Sequence, residues 1–349
     1  MRTLRATDAG AHDCLWVTRA GRAGLCHSVR MPRGHQALPA ELGREFSVAD
    51  ALRAGVGVGR IRGRDLERPF HGVRQKRAVE QAVSDPFERG REEELRLASA
   101  YATRMREVEF FSHETAAFLW GAPLPMVSGA GIHVAVHVPN AQPRAAGVIG
   151  HRLSPSLVTV TARNGLRLSS PASTWALLGH LAVNDLVALG DYFVRVWRDE
   201  GYFRVNRGRP PLATIAQLEA AIAAGRRAGG ANLARAMPLI REDSWSRPES
   251  LTRCHLVAAG LPEPVLNRDF FDDLGVHLAC IDLSYPSCKI AVEYQSELHS
   301  ARYVKDIERI ERLRAHGWIV IQVTSELLDN PGELVRRVRA ALLSRGWRG

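Results

Sequence analysis

The sequence lacks the features of disulfide-bonded, zinc-knuckle and secreted proteins. Its five cysteines are scattered and include no Cys-x-x-Cys pair, so neither a zinc knuckle nor a disulfide framework is indicated. The first thirty residues contain arginines but no apolar segment of the kind that a signal peptide needs. We therefore expect a protein of the reducing cytoplasm.

Long hydrophobic runs are also missing. The most apolar stretch, residues 175–194, is interrupted by His180, Asn184, Asp185 and Asp191. A transmembrane helix needs about 20 predominantly apolar residues in succession. The sequence therefore predicts no membrane-spanning segment.

Lysine is scarce, since only three of the 47 basic residues are lysines. The codon bias of a GC-rich bacterial genome can by itself produce this preference for arginine over lysine. The net charge of +10 still favours an anionic partner, most commonly a phosphate backbone. Residues 1–110 contain 20 basic and 15 acidic side chains, residues 111–244 contain 13 and 8, and residues 245–349 contain 14 of each. This distribution suits a basic DNA-holding region joined to a neutral C-terminal region.

The length of 349 residues favours two or three domains. We expect residues 1–30 to be a disordered or wrongly assigned leader, with Met31 as the alternative start. The three further segments expected are a winged-helix-like DNA-binding domain over residues 31–85, an α+β middle domain over residues 86–240, and a C-terminal domain over residues 241–349.

The first of these segments has a helix, a second basic helix and a hairpin, in that order. Ser47 followed by Asp50 predicts a helix N-cap, and Gly55 predicts its end. Residues 60–68 predict a basic helix, and residues 69–73 a short strand and turn. This order is typical of a winged helix-turn-helix, whereas a small helical subdomain with solvated arginines is the alternative. The candidate DNA-binding residues are Arg60, Arg62, Arg64 and Arg68.

The middle segment combines helices with a hairpin. Ser112 predicts the N-cap of a helix over residues 113–120, in which His113 and Glu114 are interpreted as structural. Asn164-Gly165 between apolar runs is a strong hairpin signal. The other elements expected are a charged helix over residues 86–106, a strand over 132–138, and helices over 171–181, 185–197, 214–227 and 231–240.

The C-terminal segment predicts the order α-β-β-β-α-β-α. The expected ranges are a helix over residues 246–259, strands over 265–271, 276–283 and 289–295, a helix over 301–316, a strand over 318–324, and a helix over 331–345.

Two carboxylates in this segment are candidates for a metal site. Strand alternation puts Glu293 and Gln295 on one face, and a hairpin would bring Asp282 beside Glu293. Facing carboxylates repel unless a cation lies between them. Oxygen ligands suit Mg²⁺ or Mn²⁺, which can polarise a phosphodiester and activate a water molecule. The alternative is that an acidic pair at this spacing arises by chance.

Three more residues are expected at the rim of this site. Glu249 would reach it from the first helix, and His299 and Asp306 from the region of the second. Each has a plainer interpretation as well. His299 suits an ordinary surface histidine, and Asp306 with the arginines that follow it suits an exposed, salt-bridged helix face.

The run IDLSYPSCKIAVEYQSELHSARYVKDIERIERLRAHGWIVIQVT, residues 281–324, resembles the very-short-patch-repair-like endonuclease domain found in many actinobacterial proteins. This family, also known as domain of unknown function 559, is a branch of the PD-(D/E)XK superfamily. The resemblance covers residues 246–343 and implies a restriction-endonuclease-like fold. It implies that Asp282 and Glu293 bind the metal, assisted by Glu249, His299 and Asp306.

The chain departs from that family at two positions. Gln295 stands where relatives carry aspartate, or lysine in the wider superfamily, and Gln322 stands where relatives often carry arginine. Glutamine can orient a water molecule but is neither a base nor a strong metal ligand. These departures leave open whether the site is active or degenerate.

Residues 46–73 and the stretch FFSHETAAFLWG, residues 110–121, resemble the AbiEi-type antitoxin and regulator family. This resemblance implies an operator-binding winged helix and, as a further partner, a cognate toxin. Two functions are therefore expected as alternatives: a Mg²⁺-dependent DNA endonuclease, or a DNA-binding regulator with an inactive nuclease fold.

Overall fold

The computed structural model describes residues 37–77, 86–125, 131–197, 208–295 and 303–349. The expected leader lies outside this range. The unit Pro39–Gly349 is compact and of mixed α/β structure, with three sheets. One sheet lies within each of the three expected segments. The hydrophobic core extends across the expected domain boundaries. Phe70 of the first segment and Cys254 of the C-terminal segment both pack in the core of the middle segment.

The first sheet is built from residues near the N-terminus of the unit. The predicted N-cap is confirmed: Ser47 Oγ accepts a hydrogen bond of 3.0 Å from the N–H of Asp50, and Gly55 follows the helix with φ of 77°. The three strands are antiparallel, in the order β1-β3-β2. The elements are β1 (Glu45–Ser47), α1 (Val48–Arg53), α2 (Val58–Ile61), β2 (Leu66–Glu67) and β3 (Val73–Lys76).

The expected basic helix over residues 60–68 is too long. The helix ends at Ile61 because the chain turns sharply at Gly63, where a Cβ atom would lie 2.5 Å from Asp65 Oδ1. A bidentate ion pair spans this turn, in which Arg60 Nη1 lies 3.0 Å from Asp65 Oδ1 and Arg60 Nη2 lies 2.7 Å from Asp65 Oδ2. Residues 69–72 form the turn before β3, so the expected strand over 69–73 begins four residues later, at Val73.

The middle segment contains a five-stranded mixed sheet of order β6-β5-β4-β8-β7, in which β4 pairs with β8 and β5 with β6 in parallel. The predicted hairpin around Asn164-Gly165 is confirmed as β7 and β8. The elements are α3 (Pro86–Ala102), β4 (Glu109–Phe111), α4 (His113–Trp120), β5 (Ile132–His137), β6 (Val148–Leu153), β7 (Val160–Arg163), β8 (Leu166–Ser169), α5 (Pro171–Leu177), α6 (Val183–Val194), α7 (Ile215–Ala223) and α8 (Gly230–Ala236).

Two strands of this sheet were not expected from the sequence. β4 is only three residues long and entirely buried, so it shows no alternation of polar and apolar residues. β6 contains Gly150, His151 and Arg152 in succession, a composition that gives no strand signal. Both strands are positioned by pairing with β5, and a local sequence pattern does not contain information on which strands pair.

The C-terminal segment has the predicted order of elements, with one short helix added. Its sheet has the order β12-β11-β10-β9, and only β11 and β12 are parallel. The elements are α9 (Arg247–Ala258), β9 (Val265–Phe271), β10 (His277–Tyr285), β11 (Ile290–Tyr294), α10 (Tyr303–Ala315), β12 (Ile319–Val323), the added α11 (Ser325–Leu328) and α12 (Pro331–Ser344).

The alternation expected in β11 is confirmed. Val292 packs in the core formed with α9 and α12, which includes Leu256 and Val338. Ala291 packs in a separate cluster with Leu313 of α10 and Trp318. The two helix layers therefore cover opposite faces of this sheet, and Glu293 lies on the α10 face with Ala291.

A buried ion pair connects α9 to α6. Arg253 and Asp191 are each 1% exposed, and Arg253 Nη2 lies 3.0 Å from Asp191 Oδ2. The hydroxyl of Ser250 donates a second hydrogen bond of 2.7 Å to the same oxygen. This contact sets the position of α9, and with it the position of Glu249. Within the described part of the chain, no helix is long and apolar enough to cross a membrane.

Candidate active site

The C-terminal sheet brings Asp282 and Glu293 next to each other. The antiparallel ladder of β10 and β11 includes Leu283 opposite Val292, so the next residues along the two strands are Asp282 and Glu293. The N–H of Tyr294 donates a hydrogen bond of 3.0 Å to Asp282 Oδ2. This placement agrees with the hairpin expected from the sequence.

Glu249 is held near the start of α9. Ser246 caps the helix by accepting a hydrogen bond from the N–H of Glu249. The buried carboxylate of Glu249 accepts two hydrogen bonds at Oε2, one of 2.6 Å from Asn267 Nδ2 and one of 3.0 Å from the N–H of Trp245. A helix N-terminus also favours a carboxylate electrostatically. Glu249 thus has a single defined orientation.

The three carboxylates of Glu249, Asp282 and Glu293, here called the acidic cluster, all have raised pKa values. Burial and the charge of Asp282 raise the pKa of Glu249 to about 7. Burial and the same neighbour raise the pKa of Glu293 to about 8, with a smaller contribution from Glu249. Burial raises the pKa of Asp282 as well. Glu249 and Glu293 are buried and Asp282 is half-buried, and the charge of Asp282 contributes to the raised pKa values of both glutamates.

Arg309 of α10 supplies one positive charge to the acidic cluster. Its Nη1 donates a hydrogen bond of 2.6 Å to Glu293 Oε2. The same guanidinium lies 3.6 Å from Asp306, whose side chain is 48% exposed. Asp306 is therefore a rim residue, linked to Glu293 through Arg309, and not a member of the buried cluster.

The acidic cluster offers oxygen ligands of the kind that Mg²⁺ or Mn²⁺ takes, although its three carboxylates are not among the described groups whose ligand atoms all lie within 4.8 Å of one another. If all three carboxylates ionise, the guanidinium of Arg309 leaves two negative charges uncompensated, which is consistent with the raised pKa values of Glu249 and Glu293. Glu293 Oε1 is buried and has no hydrogen-bond partner among the described residues, and a buried oxygen without a partner is costly. The donor set is entirely oxygen, which these hard cations prefer.

Two neutral amides border this site. Gln322 of β12 lies opposite Glu293 in the parallel ladder. Gln295 directly follows β11, and its N–H donates a hydrogen bond of 2.9 Å to the carbonyl of Val323. Neither side chain can serve as a base at neutral pH. His299, the remaining candidate, lies outside the described residues.

The candidate DNA-binding arginines differ in their surroundings. Arg60 is paired with Asp65 and mostly buried, so its charge is used within the fold. Arg62, Arg64 and Arg68 are exposed.

Burial, followed by the charges of Arg68 and Arg62, lowers the pKa of Arg74 in β3. The charges of Arg62 and Arg68 thus act on Arg74, whose guanidinium donates hydrogen bonds to the carbonyls of Ile61 and Val73, and the three residues are here called the basic patch.

Two residues of the site were not identified as site residues from the sequence. Arg309 is one of the positions on which the resemblance to the endonuclease family was based, but its spacing three residues after Asp306 suggested an exposed helix pair, and the packing of α10 on the sheet directs it to Glu293. Asn267 gave no signal at all. It adopts φ of 44°, a left-handed conformation that asparagine tolerates better than most residues, and its amide orients Glu249.

Comparison with known proteins adds no identification. No protein-family model matches the chain. No curated protein matches it either.

Proposed function

We propose that this protein is a divalent-metal-dependent DNA endonuclease whose residues 241–349 form a restriction-endonuclease-like domain. The observation that carries the proposal is the acidic cluster, in which Glu293 Oε1 is buried without a hydrogen-bond partner among the described residues. A cation bound there would compensate both the repulsion between the carboxylates and the unpartnered oxygen. The order of elements in this segment supports the same assignment.

The residues around the acidic cluster have distinct roles in this proposal. Asp282 and Glu293 would hold the metal with Glu249 assisting, and the metal when bound would polarise a phosphodiester and lower the pKa of a water molecule. Asn267 orients Glu249 through its 2.6 Å hydrogen bond. Arg309 orients Glu293 in the same way.

Gln295 has a more limited role than the charged residue that it replaces in the family the chain resembles. Because alternation places it on the Glu293 face, its amide is suited to orient a water molecule by hydrogen bonding. It cannot accept the proton of that water at neutral pH. We therefore expect slow cleavage relative to an enzyme with a carboxylate or a lysine at this position.

The basic patch of Arg62, Arg68 and Arg74 supports DNA as the substrate. In this proposal a winged helix holds the duplex through phosphate contacts, and it consists of β1, α1, α2, β2 and β3. Such contacts position the DNA but do not select its sequence.

Plasmid cleavage tests the enzymatic proposal. Purified wild-type protein should nick supercoiled DNA with Mg²⁺ or Mn²⁺, and Glu293→Gln should abolish nicking. Glu311→Gln is the matched control, because it makes the same carboxylate-to-amide change on the exposed side of α10. Undiminished cleavage by Glu293→Gln would overturn the site assignment.

A second candidate function is a DNA-binding regulator of the AbiEi antitoxin type with an inactive nuclease fold, acting with a cognate toxin. The neutral residues Gln295 and Gln322 favour it, and so does Arg309, which already supplies a positive charge to Glu293.

The two functions differ in two assays. Cleavage that appears only in Gln295→Asp would identify a degenerate site. Salt-sensitive binding to the gene's own upstream DNA, without cleavage by either protein, would support the regulator.

A further inference from the structure

A group of three histidines lies in the middle segment, apart from the acidic cluster. His133 belongs to β5 and His151 to the neighbouring edge strand β6. The parallel register pairs His133 with Ile149 and Ala135 with His151, so the two histidines lie on the same face of the sheet, diagonally across the strand pair. His113 is the first residue of α4. The N–H of Ser112, directly before it, donates a hydrogen bond to the carbonyl of His133.

The three imidazoles, here called the histidine cluster, converge on one point. One ring nitrogen from each residue lies within 4.8 Å of the other two. His133 Nδ1 and His151 Nε2 are 3.0 Å apart, and the rings of His113 and His151 are stacked with centroids 3.9 Å apart. Two nitrogens bound tetrahedrally to one zinc ion are about 3.4 Å apart, given Zn–N distances near 2.05 Å. The nitrogen spacing is close to that value, and the stacked rings of His113 and His151 would have to turn for both lone pairs to face one ion.

Two of the rings have a side-chain oxygen atom near the nitrogen that faces away from the cluster. His133 Nε2 lies 3.3 Å from Glu114 Oε2, while His133 Nδ1 faces His151. His113 Nδ1 lies 3.0 Å from Ser112 Oγ, which leaves Nε2 for the cluster. A carboxylate or hydroxyl on the outer nitrogen is the usual arrangement of metal-bound histidines, because it fixes the ring and its tautomer.

We propose that His113, His133 and His151 form a binding site for a zinc-class transition metal, with the carboxylate of Glu114 3.3 Å from His133 Nε2. Nitrogen ligands of this kind select zinc and related ions over Mg²⁺, so this site and the acidic cluster differ in the metal they take. A bound ion would attach the edge strand β6 and the start of α4 to β5. Three protein ligands leave a fourth position, and a cavity of about 400 Å³ lined by His133 and Glu114 adjoins the site.

Metal analysis of the untagged full-length protein tests this proposal. After loading with Zn²⁺ and desalting, the wild type should retain about one zinc ion per chain, and zinc should raise the Tm. His151→Gln should weaken binding by at least about tenfold. His137→Gln is the matched control, because His137 lies on β5 with its Nε2 next to the carbonyl of Val158, outside the cluster.

Two further measurements make the result decisive. Co²⁺ in the wild type should give the intense visible bands of a tetrahedral ion, and ¹⁵N NMR should show zinc-induced shifts at the three cluster rings but not at His137, even if His151→Gln does not fold. Glu293→Gln should retain zinc, which separates this site from the proposed nuclease. Failure of the wild type to retain zinc, or equal binding by a folded His151→Gln, would overturn the proposal and identify a hydrogen-bonded histidine cluster.

Discussion

Replacing Glu249 by glutamine should stabilise the protein at alkaline pH. The folded-state pKa of Glu249 is raised from 4.5 to about 7 by burial and by Asp282. The folded state therefore binds more protons than the unfolded state between these two values, and the free energy of unfolding falls as the pH rises through that window. Above it, a shift of about 2.5 units corresponds to an electrostatic cost on the order of 3 kcal/mol.

Glutamine removes that cost and keeps the hydrogen bonds. Both bonds to Glu249 reach one oxygen, from Asn267 and from the N–H of Trp245, so a single amide oxygen can accept both. Without divalent metal, Glu249→Gln should be more stable than the wild type by up to about 3 kcal/mol at pH 8, and equally stable at pH 4. Urea unfolding in EDTA at the two pH values measures the difference.

The comparison between pH values separates electrostatics from packing. A variant that is less stable than the wild type at pH 8 would show that the glutamate has no unfavourable charge to remove. An equal difference at both pH values would show that the change arises from packing instead of ionisation. Glu311→Gln, an exposed carboxylate on α10, is the control and should change little at either pH.

Two other predictions concern the same region. Mg²⁺ should raise the Tm more at pH 8.5 than at pH 6, because protons compete with the cation for Glu293, whose pKa is raised to about 8. This effect of Mg²⁺ on the Tm should disappear in Asp282→Asn. Equal Tm shifts at both pH values would contradict the prediction. Asp191→Asn should lower the free energy of unfolding by about 3–5 kcal/mol, because it leaves the guanidinium of Arg253 buried without its closest carboxylate. A loss below about 1 kcal/mol in urea unfolding would mean that Glu263, 3.3 Å from Arg253, compensates alone.

Local signals in the sequence determined the elements that depend on neighbouring residues. The Ser47 cap, the turn at Asn164-Gly165 and the period-two alternation of β11 each depend on a few adjacent residues, and each is found as expected. The order of elements in the C-terminal segment follows from the same local patterns. So does the antiparallel pairing of β10 with β11, the strands that contain Asp282 and Glu293, because a short connection leaves little choice of register.

Contacts between distant residues decided the rest. β4 and β6 exist as strands through pairing with β5, and the packing of α10 turns Arg309 toward Glu293. The histidine cluster shows this most clearly. His133 lies twenty positions after His113 in the sequence, and His151 lies eighteen positions after His133. Each appeared ordinary by itself, and only the parallel pairing of two strands and the entry into α4 bring the three rings together.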